Sequence, residues 1–278
     1  IIPGRGGVNS QAWVCIPNTN LQNAIEQMEM GSSPTEIIDW LLLNDSCSAQ
    51  NFDPEYRQYG IVDLDEFGDP RTAGWTGSMA DDYKEDRQGP NYSIQGNILL
   101  DVSVINNMED NFNNTSGTLA DKLMAAMQGA NFAGADSRCL AAGTSSTTAY
   151  LLVYKADDEP GSPYLRLNVG QQASGTEPID LLQDLYDSFL STEDNKIKER
   201  LSLFPNPASD IIQLQMETSI QLLRYDIMDI TGKVISSKFV ENTESSNLQI
   251  SVATYPTGVY FLKVYTSEGE TSLKFVKN

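Results

Sequence analysis

Between residues 191 and 202 the chain reads STEDNKIKERLS, a polar and charged stretch, and the patterning on its two sides differs in kind. Two patterns separated by such a stretch predict two domains, 1–190 and 203–278, joined by a linker at 191–202. Each is long enough to enclose a core of its own.

Upstream of the linker, helical and strand signals alternate. Residues 21–30 have helical spacing. Ser33-Pro34-Thr35-Glu36 is a capping box with proline at the first helical position, and the helix it opens carries Ile37, Ile38, Leu41 and Leu42 on one face. Strand-like runs follow at 59–64, 72–76 and 92–94, separated by Gly, Pro and Asp clusters. Helices are expected at 102–112 and 119–128, strands at 149–154 and 165–169, and a closing helix at 179–189. This mixture predicts an α+β domain with adjacent strands antiparallel and helices packed outside.

Downstream, the pattern becomes short strands with turn residues between them. Strands are expected at 210–216, 222–229, 233–240, 248–252, 259–265 and 272–276, with 201–204 as a seventh. Alternation such as Val259 and Phe261 requires one buried and one wet face. An all-β, immunoglobulin-like sandwich is predicted.

The chain carries 18 Lys and Arg against 38 Asp and Glu, a net charge of −20. Residues 1–192 hold 9 basic against 27 acidic side chains, and residues 203–278 hold 6 against 8. So acidic a protein repels nucleic-acid phosphates, and no nucleic-acid partner is expected. No apolar run reaches 18 residues, so no transmembrane helix is expected.

Histidine is absent. Ser-His-Asp triads, Cys-His dyads and nearly all zinc hydrolase sites need imidazole, so the chemistry left to an enzyme is carboxylate catalysis, an N-terminal nucleophile, or a carboxylate-bound hard metal. No cofactor or metal is assigned. The acidic run Asp63-Leu64-Asp65-Glu66-Phe67-Gly68-Asp69 lacks the ligand order of a calcium loop and reads as a hairpin turn. The three cysteines, Cys15, Cys47 and Cys139, read as disulfide or buried thiols; their odd number predicts one unpaired thiol or a fourth cysteine upstream.

In the tail, Phe204-Pro205-Asn206-Pro207-Ala208 opens the domain and residues 226–232 lead into a Gly-bearing turn. Tyr255-Pro256-Thr257-Gly258-Val259-Tyr260-Phe261 enters the penultimate strand, and the chain ends Leu273-Lys274-Phe275-Val276-Lys277-Asn278. Residues 203–278 resemble the type A C-terminal sorting domain of the type IX secretion system of Bacteroidetes. By that resemblance Pro205, Asn206, Pro207, Gly232, Gly258, Tyr260 and Lys274 form the sorting motif. The partners it implies are the type IX translocon and its sorting peptidase, with surface lipopolysaccharide attached after the tail is removed. In physical terms the glycines permit turns and the aromatics fill a core. Export also implies a signal peptide; the chain begins at Ile1 without one, so part of its true N-terminus is expected upstream.

The first 190 residues resemble the family called domain of unknown function 1028, grouped by fold with the N-terminal-nucleophile (Ntn) hydrolases. The resemblance runs through Asn9-Ser10-Gln11-Ala12-Trp13, Arg57-Gln58-Tyr59-Gly60, Thr76-Gly77, Gln95-Gly96-Asn97-Ile98-Leu99 and Ala133-Gly134-Ala135-Asp136-Ser137-Arg138. It implies a four-layer αββα sandwich and a Thr, Ser or Cys nucleophile at the mature N-terminus, which Ile1 cannot supply. The segments where the family bears histidine, here residues 81–86 and the region after 165–169, have none. Four residues are candidate pocket residues. Gln95 and Asn97 flank a glycine at a strand end, where they would line a polar pocket or cap neighbouring backbone. Asp136 and Arg138 would orient a substrate or form an ion pair.

The expectation is thus an exported protein, secreted or at the cell surface. Its cargo domain resembles an N-terminal-nucleophile amidohydrolase acting on a peptide or cell-wall amide; the alternative is a non-catalytic, surface-displayed binding protein.

Overall fold

The computed structural model describes residues 1–240 and 247–278, with the side chains of residues 192–195 outside the description. It divides into two compact units, Ile1–Tyr186 and Asp187–Asn278.

The first unit is built on a three-stranded antiparallel sheet, β1 (Gly6–Gln11), β2 (Gln58–Leu64) and β3 (Pro70–Thr76), in that order. Its register pairs Gln11 with Gln58, Tyr59 with Trp75 and Gly60 with Gly74. Period two then assigns the faces. Tyr59 and Ile61 join a core with Ala24 and Met28 of α1 (Thr19–Glu29) and Ile37, Ile38 and Leu41 of α2 (Pro34–Leu43). Each of the Ile, Leu and Met side chains among them contributes about 1.5–3 kcal/mol by burial. The capping box forms as read: Ser33 N donates to Glu36 Oε2 at 2.8 Å, and Glu36 N to Ser33 Oγ at 3.4 Å.

Even-numbered residues of β2 and β3 face the hairpin β4 (Glu85–Gln88) and β5 (Ser93–Gly96). The approach is close because the facing residues are glycines: a Cβ on Gly60 would lie 1.9 Å from Gln95 Oε1, and one on Gly74 1.8 Å from Gln88 Nε2. Fully buried Gln58 ties the layers, its Nε2 donating to Thr76 Oγ1, Glu85 O and Gly96 O while its Oε1 accepts from Gln11 Nε2 at 2.6 Å. Helix α3 (Ser103–Asn114) packs on β5 and against α4 (Leu119–Gly129). Arg87 of β4 donates to Asn106 and Glu109 of α3, each at 2.7 Å. The unit is completed by the hairpin β6 (Ala149–Val153) and β7 (Leu165–Val169) and by the start of α5 (Pro178–Glu199).

The closing helix read at 179–189 therefore runs ten residues further, through most of the stretch read as linker. Its last turn is anchored by Ile197, which is buried in the core of the second unit. Of that linker, the side chains of 192–195 lie outside the described residues.

The second unit is a β-sandwich. One sheet has the order β11 (Val234–Phe239), β10 (Leu222–Asp229), β13 (Gly258–Thr266), β14 (Gly269–Lys277). The other has the order β12 (Asn247–Ser251), β9 (Ile211–Met216), β8 (Leu201–Phe204). Alternation in β13 buries Tyr260, Leu262, Val264 and Thr266, which meet Phe275, Leu273 and Thr271 across the register with β14. Ile212 and Leu214 close the core from the other sheet.

Asp226, buried on β10, accepts from Arg224 Nε at 3.0 Å and from Tyr265 Oη at 3.0 Å. These bonds, Arg224's first among them, outweigh burial and hold its carboxyl at about 2 against an ordinary 3.8. A depressed folded-state pKa contributes stability above the unfolded value, and that contribution is lost as pH falls through the folded value. Between about pH 4 and pH 2, the melting-temperature advantage of the wild-type sandwich over Asp226→Asn is therefore expected to vanish, as followed by circular dichroism.

Candidate functional site

Strand β5 ends at buried Gly96, and the next residues leave regular structure. Ile98 takes φ +59°, a conformation that a β-branched side chain disfavours by about 1–3 kcal/mol. It is held there from two sides. Ile98 N donates to Asp81 O at 3.1 Å, while Ser137 N donates to Ile98 O at 2.8 Å. Leu99 exchanges backbone bonds with Tyr83 and bridges to Asp136, and Leu100 N reaches Ala135 O at 3.2 Å. Residues 97–100 are thus stitched between the 81–83 and 135–137 segments. The bridge is antiparallel, so Asn97, one residue before Ile98, and Arg138, one after Ser137, stand opposite each other at the same end of this pairing.

Asp136 caps the 3-10 turn Ser137–Ala142 by accepting from Arg138 N at 3.0 Å. Its two oxygens also accept from Arg138 Nε at 2.9 Å and Nη2 at 2.5 Å, a two-pronged ion pair. Burial pushes the Asp136 carboxyl up, but Arg138 outweighs it and holds the group below the usual carboxylate range; Arg138 is raised in return. Both are charged at neutral pH. The Arg138 side chain is 68% exposed, and among the described residues its Nη1 has no hydrogen-bond partner. The ion-pair reading of Asp136 and Arg138 therefore holds, and it leaves one guanidinium edge open to solvent. Asn97 is half-buried, with no side-chain hydrogen bond among the described residues. Gln95 is separate from this group: its amide lies over Gly60 and donates to Ser93 Oγ, between the two β layers.

Other motifs are absorbed structurally. Asp63 is buried between Arg5 at 3.0 Å and Arg71 at 2.6 Å, and Asp65 accepts from Phe67 N and Asp69 N in the β2–β3 turn. Among the described residues no group of three His, Cys, Asp or Glu side chains is placed to hold a metal. No helix among the described residues is long and apolar enough to cross a membrane. Cys15 and Cys47 form a disulfide, and Cys139 is a free, buried thiol whose pKa burial pushes up.

A second feature had no reading from sequence. Arg57 is fully buried, as is its partner Asp45, 2.8 Å from Nε. Its other nitrogens donate to Trp13 O at 2.7 Å, Gln50 Oε1 at 2.9 Å, Ala49 O at 2.8 Å and Cys47 O at 3.4 Å. Around it Ala12, Trp13, Gln50, Asn51 and Phe52 all have positive φ, in two loops joined by the disulfide.

The sorting-motif residues sit as follows. Pro205, Asn206 and Pro207 are exposed between β8 and β9. Asn206 Nδ2 donates to Lys274 O at 3.0 Å, and Val276 N donates to Asn206 Oδ1 at 2.9 Å. Gly232 takes φ +82° in the β10–β11 turn, which Asp229 caps. Gly258 differs from its reading as a turn residue: it is the first residue of β13, without positive φ, and a Cβ there would meet only the Tyr260 ring at 3.6 Å. Tyr260 is buried, stacked on Phe275 at 5.5 Å, and donates to Pro256 O at 2.8 Å.

Residues 2–182 match the model of a family of unknown function, DUF1028, and residues 202–278 match that of a secretion system C-terminal sorting domain. No curated protein matches. Among solved structures, a DUF1028 protein from Silicibacter pomeroyi is similar at 23% identity and a TM-score of 0.49, over 65% of this chain and 70% of its own. A DUF3244 protein with an immunoglobulin-like β-sandwich from Bacteroides vulgatus is similar at 18% identity and a TM-score of 0.25, over 28% of this chain and 85% of its own.

Proposed function

Because this chain belongs to the DUF1028 family and ends in a type IX sorting domain, we propose that it is an exported cargo whose DUF1028 domain recognises an uncharged amide group at Asn97 and Arg138. The sorting domain supports a secreted or cell-surface protein handled by the type IX system. In the fuller reading the cell is a member of the Bacteroidetes, the sorting peptidase cuts within 191–202, and lipopolysaccharide replaces the immunoglobulin-like tail.

The observation that carries the ligand class is the antiparallel pairing around the left-handed Ile98, which sets an unpartnered carboxamide and an open guanidinium edge opposite each other at one end. A carboxamide is self-complementary to an amide, donating to its carbonyl and accepting from its N–H, and Arg138 Nη1 adds a second donor to that carbonyl. The net charge of −20 disfavours free anions and favours the neutral peptide or cell-wall amide.

Calorimetric titration of the full chain with an N-acetylated dipeptide amide tests this. Arg138→Ala and Asn97→Ala are each expected to weaken binding by about tenfold, the loss of one charge-assisted or buried hydrogen bond. Equal affinity in both variants and wild type would remove the assignment.

A second reading, an Ntn-type amide hydrolase, is supported by the succession of α1 and α2, the β1–β2–β3 sheet, the β4–β5 hairpin and α3, the order expected of a four-layer αββα sandwich. In that reading the nucleophile is a residue other than Ile1, and mass spectrometry of the same titration mixture would show the hydrolysed amide.

A further inference from the structure

The segment Asn206-Pro207-Ala208 runs beside the outer edge of β14. Ala208 N donates to Val276 O at 2.8 Å, and Asn278 N donates to Ala208 O at 2.9 Å, a parallel bridge with no exposure at Ala208. Two residues earlier the Asn206 side chain makes the same pair of contacts, donating to Lys274 O and accepting from Val276 N. Pro205 and Pro207 have no N–H, so the backbone on either side of Asn206 cannot donate. Lys274 O and Val276 N, which this register would set against the backbone of residue 206 itself, are met by its carboxamide, since it carries the same donor and acceptor as a peptide group. The first loop of the sandwich and the last five residues of the chain are therefore one structural element.

We infer that Asn206 is a latch: a positioning residue that fixes residues 274–278 so that the sorting signal is a composite surface, complete only when the 205–208 loop and the C-terminal strand are joined. This rests on the export reading and deepens it. The surface presents the exposed Lys274, whose ammonium has no partner among the described residues, beside the exposed Asn206 and Asn278. The partner it fits is a protein of the export machinery with acidic groups opposite Lys274. A linear C-terminal peptide would not need Asn206.

The test compares the full chain with Asn206→Ala and Thr266→Val in cells that carry the machinery. Thr266, whose hydroxyl donates to Gly269 O at 2.8 Å in the β13–β14 hairpin, supplies a destabilised control at the other end of the same strands. Asn206→Ala is expected to lower the fraction found outside the cell by about tenfold or more and to speed hydrogen exchange at Val276 and Asn278. Thr266→Val is expected to be exported like wild type even where its melting temperature is lower than that of Asn206→Ala. Wild-type export of Asn206→Ala, or loss of export in both variants in proportion to their melting temperatures, would overturn the latch. A chain ending at Ser202 serves as the reference. If it too is exported, the export reading fails and the latch with it, a result distinct from failure of the latch alone.

Discussion

Replacing Arg57 by methionine is expected to destabilise the DUF1028 domain by about 3–5 kcal/mol, the usual consequence of stripping one partner from a buried ion pair. Neither Arg57 nor Asp45 has any exposed side-chain surface. Without the guanidinium, the Asp45 carboxylate keeps its bonds from Asn20 Nδ2 at 3.0 Å and Cys47 N at 2.7 Å but loses its countercharge. The carbonyls of Trp13 and Ala49 and the amide of Gln50 lose their donor at the same time.

The effect is large because the same guanidinium also bonds to Trp13 and Gln50, two of the five left-handed, non-glycine residues of these loops, whose strained backbone loses that anchor once it is gone. The Cys15–Cys47 disulfide closes the same loops and contributes about 3–4 kcal/mol by restricting the unfolded chain. Losses from the two anchors are therefore not additive. Asp45→Asn combined with Arg57→Met removes the stranded charge and is expected to recover part of the stability. All three tryptophans, Trp13, Trp40 and Trp75, lie in this unit, so urea unfolding followed by tryptophan fluorescence reports it without interference from the sandwich. A loss below about 1 kcal/mol would mean that the pair is solvated and its bonds are not made.

Legibility from sequence followed the side chains that face a core. The central strands of the sandwich alternate buried and wetter residues, so β13, read at 259–265, is observed at Gly258–Thr266, and β14, read at 272–276, at Gly269–Lys277. The α2 start was legible because its cap is local: Ser33 and Glu36 need only each other. Strands β1 and β4 were not read. Sequence GGVNSQ and sequence EDRQ lack apolar alternation, because one packs its glycine Gly6 tightly against Val62 O and the other turns Asp86 and Gln88 toward Gly74 while Arg87 pairs with α3. Where two layers meet through glycine and hydrogen bonds, hydrophobic period carries no signal.

At the candidate site, the Asp136–Arg138 pair was legible as a two-residue spacing across a turn. Its neighbour was not. Nothing about isoleucine predicts a left-handed Ile98; Asp81 O and Ser137 N impose it from segments far away in sequence. Gln95 was grouped with Asn97 because both flank Gly96, yet the absence of a Cβ at Gly60 draws Gln95 into the layer interface instead. The stretch read as linker carries the end of a helix whose sequence there is polar and whose last apolar residue, Ile197, belongs to the next core.

The sorting tail supports export of the DUF1028 domain from the cell. Its two sheets form a core of their own, so removing residues 203–278 deletes all of that core but Ile197 and Leu201 and takes away no residue of the first unit. The truncated chain keeps the Arg57–Asp45 pair, the disulfide and the Asn97–Arg138 site, all of which lie before residue 187. Cell fractionation of a chain ending at Ser202, beside the full chain in the same cells, is the direct measurement. Full-length protein is expected at the surface or in the medium, and the truncated chain, folded by its tryptophan fluorescence, is expected to be retained in the periplasm. Truncated protein recovered outside the cell at the full-length level would contradict the export reading.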